Sequence, residues 1–203
     1  MSDQSTVFVV EDDDGVREST VLFLAHKGWP VQAFACAEEF LDVVSEQAVG
    51  CLLLDIRMPG LSGLDLQKVL IEKQIDLPII FLTGHGDVQQ SVTALKRGAF
   101  DFLEKPYDQQ QLEQCIVDAV AQHVSLRSKS KAQSEFASNV KSLTPREREV
   151  MDLMAEGLSS KLIAKRLAIS PRTVEIHRAK IMTKMQVDSV AELASAVVKA
   201  DLT

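Results

Sequence analysis

The stretch that most constrains this chain runs from Gly50 to Gly63 and reads GCLLLDIRMPGLSG. Its apolar run, Cys51 to Leu54, is short, continuous and bounded by turn residues, which is typical of a strand buried on both faces of a parallel sheet. Asp55 follows this run directly. We therefore expect its carboxylate at the carboxyl end of a central strand, where open α/β sheets carry their functional sites. Taken alone, the same pattern also fits an Asp that caps a loop.

Four further short runs of strand character surround this stretch, and amphipathic segments separate them. The runs are Val7 to Val10, Val31 to Ala35, Ile79 to Leu82 and Asp101 to Leu103. Helical patterns begin near Gly15, Glu38, Leu64, Val88 and Asp108. Five strands that alternate with five helical segments predict an α/β domain with a five-stranded, doubly wound parallel sheet.

Right-handed crossovers place the carboxyl ends of all parallel strands on one edge of such a sheet. Polar side chains follow four of the five runs, so we expect them to converge in one cleft although they are far apart in the sequence. These residues are Asp12, Asp13, Asp55, Thr83 and Lys105.

Carboxylates that face one another raise each other's pKa, and a bound divalent cation removes that cost. Oxygen ligands without His or Cys favour a hard ion, and a partly hydrated site with few carboxylates suits Mg²⁺. Lys105 and Thr83 would then offer an ammonium group and a hydroxyl group to an anion such as a phosphoryl group. No activated Ser, Cys or His lies at these strand ends, so the nucleophile would be a carboxylate oxygen.

The second part of the chain has the opposite charge. Residues 1–124 contain 8 Lys+Arg and 20 Asp+Glu, whereas residues 125–203 contain 14 and 9. A length of 203 residues is comfortable for two domains, and a basic second domain has the charge of a polyanion-binding protein.

No apolar run approaches the roughly 18 residues of a transmembrane helix, so we expect no membrane partner. The start of the chain lacks the features of a signal peptide, and the three cysteines are too far apart for a disulfide framework, so we expect a cytoplasmic protein.

Residues 143–203 show an all-helical pattern of four short helices. Thr144, Pro145 and Glu147 combine an N-cap, a proline at the first helical position and a capping-box acid. Ser159, Ser170 and a residue at 188 or 189 begin the later helices, and two short helices joined by a tight turn indicate a helix-turn-helix. The polar segment 125–142 before them is an interdomain linker, which either continues the preceding helix or is a flexible coil.

The motifs VVEDDD, LLLDIRMPG, FLTGHG and FLEKP together resemble the receiver domain of two-component response regulators, over roughly residues 5–124. The resemblance implies a flavodoxin-like sheet with Asp55 as the phosphoacceptor. It further implies that Asp13 ligates Mg²⁺ directly and that Asp12 acts through water. The backbone carbonyl of Arg57 would complete the protein ligands, and Glu11 is assigned no role.

The same resemblance assigns the residues that respond to the phosphoryl group. Thr83 and Lys105 would grip its oxygens, and Phe102 would be the aromatic switch beside them, although Phe102 fits a core position equally well. Arg57 and His85 lie two residues beyond Asp55 and Thr83, where side chains can shield a phosphoryl group from water.

The pattern GLSSKLIAKRLAIS followed by RTVEIHRAKI resembles the LuxR/NarL-type output domain, over residues 143–200. On a helical wheel of the third helix, Val174, Ile181 and Met185 face Ile163 and Leu167, whereas the opposite side mixes basic, small and apolar groups suited to a major groove. Glu175 would accept from a cytosine amino group, since it would repel phosphates. A solvated helix face remains the alternative. The candidate DNA-binding residues are Lys161, Arg172, Thr173, Glu175, Ile176, His177, Arg178, Ala179 and Lys180.

Together the two halves resemble the FixJ-type regulators, including those of aromatic-hydrocarbon catabolism. This resemblance implies a sensor histidine kinase, promoter DNA and RNA polymerase as partners, and a homodimer that forms on phosphorylation. One rival is a phosphatase that forms an aspartyl phosphate, but such enzymes usually carry a second Asp where this chain has Arg57. The other rival is a receiver that signals through protein contacts alone.

Overall fold

A computed structural model of the protein describes residues 5–84, 92 and 94–201. The chain folds as two compact units, Met1–Arg127 and Ser128–Thr203. No helix in the described ranges is long and apolar enough to cross a bilayer.

The first unit alternates strands with helices. Its elements are β1 (Thr6–Val10), α1 (Asp14–His26), β2 (Val31–Phe34), α2 (Ala37–Val43), β3 (Gly50–Asp55), α3 (Gly63–Glu72), β4 (Ile79–Thr83), β5 (Asp101–Glu104) and the first part of α4 (Gln109–Lys141). The predicted helix between Val88 and Arg97 lies partly outside the described residues, and residues 94–96 are helical.

All neighbouring strands pair in parallel, in the order β2-β1-β3-β4-β5. The prediction of a five-stranded, doubly wound parallel sheet is therefore confirmed. The direction of winding reverses between β1 and β3, and open α/β sheets place their ligand clefts at this point. The carboxyl ends of β1 and β3 are the ends that carry the predicted acidic residues.

Alternate residues of each strand enter two different cores, because successive side chains of a strand point to opposite faces. On one face, Leu52 and Leu54 of β3 pack with Phe40, Leu66 and Leu70 of α2 and α3. On the other face lie Cys51 and Leu53, together with residues of α1 and α4. This burial on both faces explains why the β3 segment is apolar at consecutive positions rather than at every second one.

The predicted linker is helical almost to its end, because α4 continues without interruption from Gln109 to Lys141. Its first part contributes Leu112, Ile116 and Ala119 to the core of the first unit. Near its end, Phe136 and Val140 pack against the core of the second unit. Of the two alternatives for the linker, the continuous helix is therefore confirmed.

The second unit consists of the end of α4 and four shorter helices, as predicted. These are α5 (Pro145–Ala155), α6 (Ser160–Leu167), α7 (Pro171–Met185) and α8 (Val190–Asp201). Val174, Ile181 and Met185 of α7 are buried against Ile163 of α6 and against α5, which confirms the predicted inner face of this helix.

An ion pair between a buried Glu147 and a partly exposed Lys184 links the start of α5 to the end of α7. The Glu147 side chain receives the backbone N–H of Thr144 at 2.9 Å, and the Thr144 hydroxyl accepts from the Glu147 N–H. Lys184 Nζ of α7 lies 2.7 Å from Glu147 Oε2. The hydrogen bonds from Lys184 and Thr144 lower the pKa of Glu147 to about 2.

We expect Glu147→Gln to lower the free energy of unfolding of the second unit at pH 7 by about 1–3 kcal/mol. Because the pKa of Glu147 is depressed on folding, its contribution is present above its usual pKa of 4.5 and is lost as the pH falls through about 2. The difference between parent and variant should therefore shrink between pH 5 and pH 2. Urea unfolding followed by the amide NMR signals of α5 and α7 measures this difference.

The matched control is Glu149→Gln on the same helix. The ion pair of Glu149 with Arg146 is solvent-exposed on both sides, so its removal should change the free energy of unfolding by less than about 1 kcal/mol. A Glu147 variant with no larger effect than this control, or with an effect that persists at pH 2, would contradict the assignment.

Candidate functional site

Three carboxylates meet at the carboxyl edge of the sheet, where the winding reverses between β1 and β3. They belong to Glu11, Asp12 and Asp55, and one oxygen of each lies within 4.8 Å of the other two. Glu11 is 1% and Asp55 8% exposed, whereas Asp12 faces solvent. The cluster is therefore two buried carboxylates with an exposed third one at its rim.

Lys105 supplies the cation that faces this cluster. It follows β5, and its Nζ lies 2.6 Å from Glu11 Oε2 and 3.4 Å from Asp55 Oδ1. Glu11 is thus its closer partner, although the two residues are 94 positions apart in the chain. The parallel sheet brings them together because β1 and β5 both end at this edge.

Burial raises the pKa of both Glu11 and Asp55, although the hydrogen bond and charge of Lys105 oppose this shift. Burial also lowers the pKa of Lys105, but its hydrogen bond to Glu11 and the charges of Glu11 and Asp55 raise it above the usual value. One ammonium group offsets two buried carboxylates only in part. A divalent cation beside Asp12 would supply the missing positive charge.

The donor set at this edge fits Mg²⁺. All three side chains offer carboxylate oxygens, which are the ligands that a hard ion prefers. Mg²⁺ usually binds few protein ligands and keeps several of its waters, and a site with two buried carboxylates and one exposed carboxylate fits this habit. When bound, such an ion acts as a Lewis acid and neutralises charge on phosphoryl oxygens. The predicted backbone ligand, Arg57, lies in the loop that follows β3 and has an exposed side chain.

This loop depends on a close approach at Gly63, the first residue of α3. A Cβ atom added there would lie 2.1 Å from the carbonyl oxygen of Asp55, so no other residue fits without moving β3. The Gly63 N–H donates to the Ile56 carbonyl at 3.0 Å. The loop between these residues lines an open cavity of about 650 Å³ beside Asp12, with Ile56, Arg57, Met58, Pro59, Ser62 and Leu64 on its walls.

Thr83 and Phe102 lie on the neighbouring strands. Thr83 ends β4 and is buried, and its carbonyl accepts from the Lys105 N–H at 2.7 Å. Phe102 of β5 is 40% exposed, so it is not a core residue in this conformation. His85 lies outside the described residues.

The second candidate site is the exposed face of α7 with the adjoining part of α6. Arg172, Ile176, Ala179 and Lys180 are exposed on α7, and Ile176 is an apolar side chain that is half accessible to solvent. Lys161 is exposed on α6. This combination of cations with small and apolar groups resembles the surface that a major groove accepts.

Three of the predicted DNA-binding residues of α7 interact with a neighbour in the helix or with its N-cap. Ser170 caps α7, since its Oγ accepts from the Thr173 N–H at 3.0 Å, and the hydroxyls of Ser170 and Thr173 lie 2.8 Å apart. Arg178 Nε lies 3.9 Å from Glu175 Oε2, so the acidic side chain has a cationic neighbour one turn away. His177 is partly buried, and its Nδ1 has no hydrogen-bond partner among the described residues.

Comparison with known protein families identifies both units. Residues 7–117 match the response regulator receiver domain, and residues 141–197 match the bacterial regulatory proteins of the luxR family. The transcriptional regulatory protein FixJ of Bradyrhizobium diazoefficiens is 41% identical over 202 residues, which cover 100% of this chain and 98% of FixJ. The chain belongs to the FixJ-type response regulators.

Other similar proteins match this chain over most of their length. The transcriptional regulatory protein TdiR of Thauera aromatica is 41% identical over 96% of this chain and 86% of its own. Among solved structures, the response regulator StyR is 41% identical, with a TM-score of 0.87, over 97% of this chain and 99% of its own. This response regulator is therefore a transcription regulator with a LuxR-type DNA-binding output, not a classical enzyme.

The receiver's acidic residues differ by one position from the sequence-based assignment. Asp13 is not part of the carboxylate cluster, because its Oδ1 accepts from the Val16 N–H at 2.9 Å and caps α1. Extended pairing continues past Val10, since the Glu11 N–H donates to the Phe34 carbonyl at 3.2 Å. Glu11 and Asp12 are therefore the two acids at the sheet edge, and Glu11 takes a place in the cluster that the sequence reading gave to Asp13.

If the cluster holds Mg²⁺, Asp12→Asn should remove most of the stabilisation that the ion gives the receiver. Ligand binding to the folded state raises its stability by an amount set by affinity, so the loss appears as a smaller rise in the receiver's unfolding midpoint at 10 mM Mg²⁺. Asp13→Asn removes a neighbouring charge but keeps an oxygen that can cap α1, and it changes no member of the cluster. We expect it to keep most of the Mg²⁺-dependent rise, and the reverse order of the two variants would restore Asp13 as the ligand.

Proposed function

We propose that this response regulator is phosphorylated on Asp55 by a sensor histidine kinase, with Mg²⁺ held at the sheet edge by Asp12, Asp55 and the Arg57 carbonyl. The observation that carries the proposal is the position of the Asp55 carboxylate. It ends the central strand within 4.8 Å of two other carboxylates, and its Oδ1 lies 3.4 Å from Lys105 Nζ. Glu11 is the additional acid of this site.

In the proposed transfer, an Asp55 oxygen forms a bond to phosphorus while the P–N bond of the donor phosphohistidine breaks. The imidazole leaves with the bonding electrons, in line with the incoming oxygen. Little acid–base chemistry is needed, because the rate acceleration comes from positioning the reactants and from neutralising the charge on the equatorial oxygens. A small acyl phosphate can replace the kinase as the donor, and its carboxylate is then the leaving group.

Lys105 and Thr83 would bind the new phosphoryl group. The Lys105 ammonium is already 3.4 Å from Asp55, so a small movement away from Glu11 brings it to a phosphoryl oxygen. The buried Thr83 hydroxyl would donate to another oxygen, and Phe102 would turn inward from its exposed position. These movements would change the receiver surface that begins beyond β4.

Acetyl phosphate with Mg²⁺ should add one phosphoryl group to the parental chain, and Asp55→Asn should abolish the addition. The amide keeps the size of the side chain but lacks the nucleophilic carboxylate. Intact-mass spectrometry detects the added group directly. Equal labelling of Asp55→Asn would place the phosphorylation site elsewhere, and labelling in the absence of any divalent cation would refute the metal assignment.

We propose that residues 1–124 act as the receiver, 125–142 as the linker and 143–203 as the DNA-binding domain. The DNA-binding domain binds promoter DNA and acts on RNA polymerase in the cytoplasm.

One helix-turn-helix makes few base contacts, whereas a homodimer spans two half-sites. Linking two modules raises avidity about 10²–10⁴-fold without new contacts. Phosphorylation would supply that link by pairing two receivers. A role in aromatic-hydrocarbon catabolism concerns the target genes and stays a prediction.

The exposed face of α7 supports the DNA-binding assignments. Lys180→Ala should weaken binding to all DNA sequences, because a phosphate contact carries charge but no sequence information. The slope of the logarithm of affinity against the logarithm of salt concentration should become shallower by about one. Glu175→Ala should instead relax the preference at a single base pair, if Glu175 accepts from a cytosine. Fluorescence anisotropy over a salt series tests both variants. Lys68→Ala on α3 of the receiver is the control, and a salt slope that falls equally there would contradict the contact.

A further inference from the structure

Arg17 of α1 folds back over the loop that carries the acidic residues. Its Nη1 donates to the Glu11 carbonyl at 2.7 Å and lies 3.4 Å from the Asp12 carbonyl. Its Nη2 donates to Asp14 Oδ1, one turn before it in the helix. The Arg17 side chain is mostly buried, with 18% of its surface exposed. A planar fork with fixed donors can hold these three acceptors together, which a flexible ammonium group cannot.

The two carbonyls belong to Glu11 and Asp12, two of the three residues whose carboxylates form the cluster. Asp12 lies between the peptide groups of these carbonyls, so fixing both groups fixes the direction in which its side chain leaves the backbone. Glu11 is held by Lys105 at 2.6 Å, and Asp13 by the Val16 N–H at 2.9 Å. Within the described ranges, no hydrogen bond holds the Asp12 carboxylate itself. The direction of Asp12 therefore depends on its backbone.

We propose that Arg17 is a positioning residue, which holds the backbone on both sides of Asp12 so that this carboxylate faces the cation site. The inference rests on the proposed function, since it concerns the Mg²⁺ that Asp12 would bind. Arg17 acts through Asp12 and does not touch the ion. Residues that orient metal ligands in this way commonly change metal affinity by about 10–100-fold when they are replaced.

A purely electrostatic role for Arg17 predicts the opposite result. Removing a positive charge beside a cluster of carboxylates makes the site more negative, so a divalent cation would bind more tightly. Loss of positioning makes the cation bind more weakly. The sign of the change in affinity therefore separates the two roles.

The test measures Mg²⁺ binding to the full-length, unphosphorylated protein by isothermal titration calorimetry. Arg17→Gln and Arg17→Lys should both raise the Kd for Mg²⁺ by about tenfold. We expect this of Arg17→Lys too, because lysine keeps the positive charge but lacks the planar fork of donors. Lys68→Gln is the matched control, because Lys68 forms the same i,i+3 ion pair with Asp65 on α3 but touches no part of the acidic loop. Its Kd should stay within about twofold of the parental value. Unchanged or tighter binding by both Arg17 variants would overturn the proposal, and Arg17→Lys alone decides if Arg17→Gln fails to fold.

A second measurement needs no metal. The Glu11 and Asp12 carbonyls share peptide groups with the N–H groups of Asp12 and Asp13, so both amide NMR signals should move in the metal-free Arg17 variants. They should not move in Lys68→Gln, and signals that stay in place in the Arg17 variants would show that the contact is absent. A parental protein that binds no Mg²⁺ would instead refute the proposed function, while the amide signals still decide whether Arg17 holds this loop.

Discussion

The receiver depends on one electrostatic balance, in which Lys105 offsets the charge of two buried carboxylates. Its Nζ lies 2.6 Å from Glu11 and 3.4 Å from Asp55, and burial raises the pKa of both acids. Burying ionised groups is costly unless they are paired. A sheet that ends β1, β3 and β5 at one edge brings this pair of acids and one base together. In the proposed function, the remaining negative charge attracts a divalent cation, which would in turn favour the entry of a phosphoryl group.

Much of this arrangement is predictable from the sequence, because each part has a strong local signal. Short apolar runs alternate with amphipathic helices, which specifies the parallel sheet and its carboxyl edge. Asp55, Thr83 and Lys105 directly follow such runs and do lie at that edge. The same holds for the inner face of α7, where Val174 and Ile181 keep helical spacing and are buried.

Other features depend on differences too small for a sequence pattern to resolve. Glu11, Asp12 and Asp13 are consecutive acids, and one extra residue of extended pairing decides which two face the cleft. A useful signal was present, since the first two residues after the apolar run are Glu11 and Asp12. The linker posed a different difficulty, because its polar composition suits a helix or a coil equally. In the helical form, Phe136 and Val140 pack against a core that extends to Leu193, and a local sequence pattern does not show this packing.

The central claim is that chemistry at the sheet edge controls DNA binding by the helical output, and it is tested most directly by following both on the same samples. Analytical sedimentation and DNA-binding anisotropy of the full-length protein, with and without acetyl phosphate and Mg²⁺, measure the dimer fraction and the affinity together. The account predicts that both rise on phosphorylation and that neither rises in Asp55→Asn. A phosphorylated protein that binds DNA tightly while it remains a monomer on the DNA would contradict it.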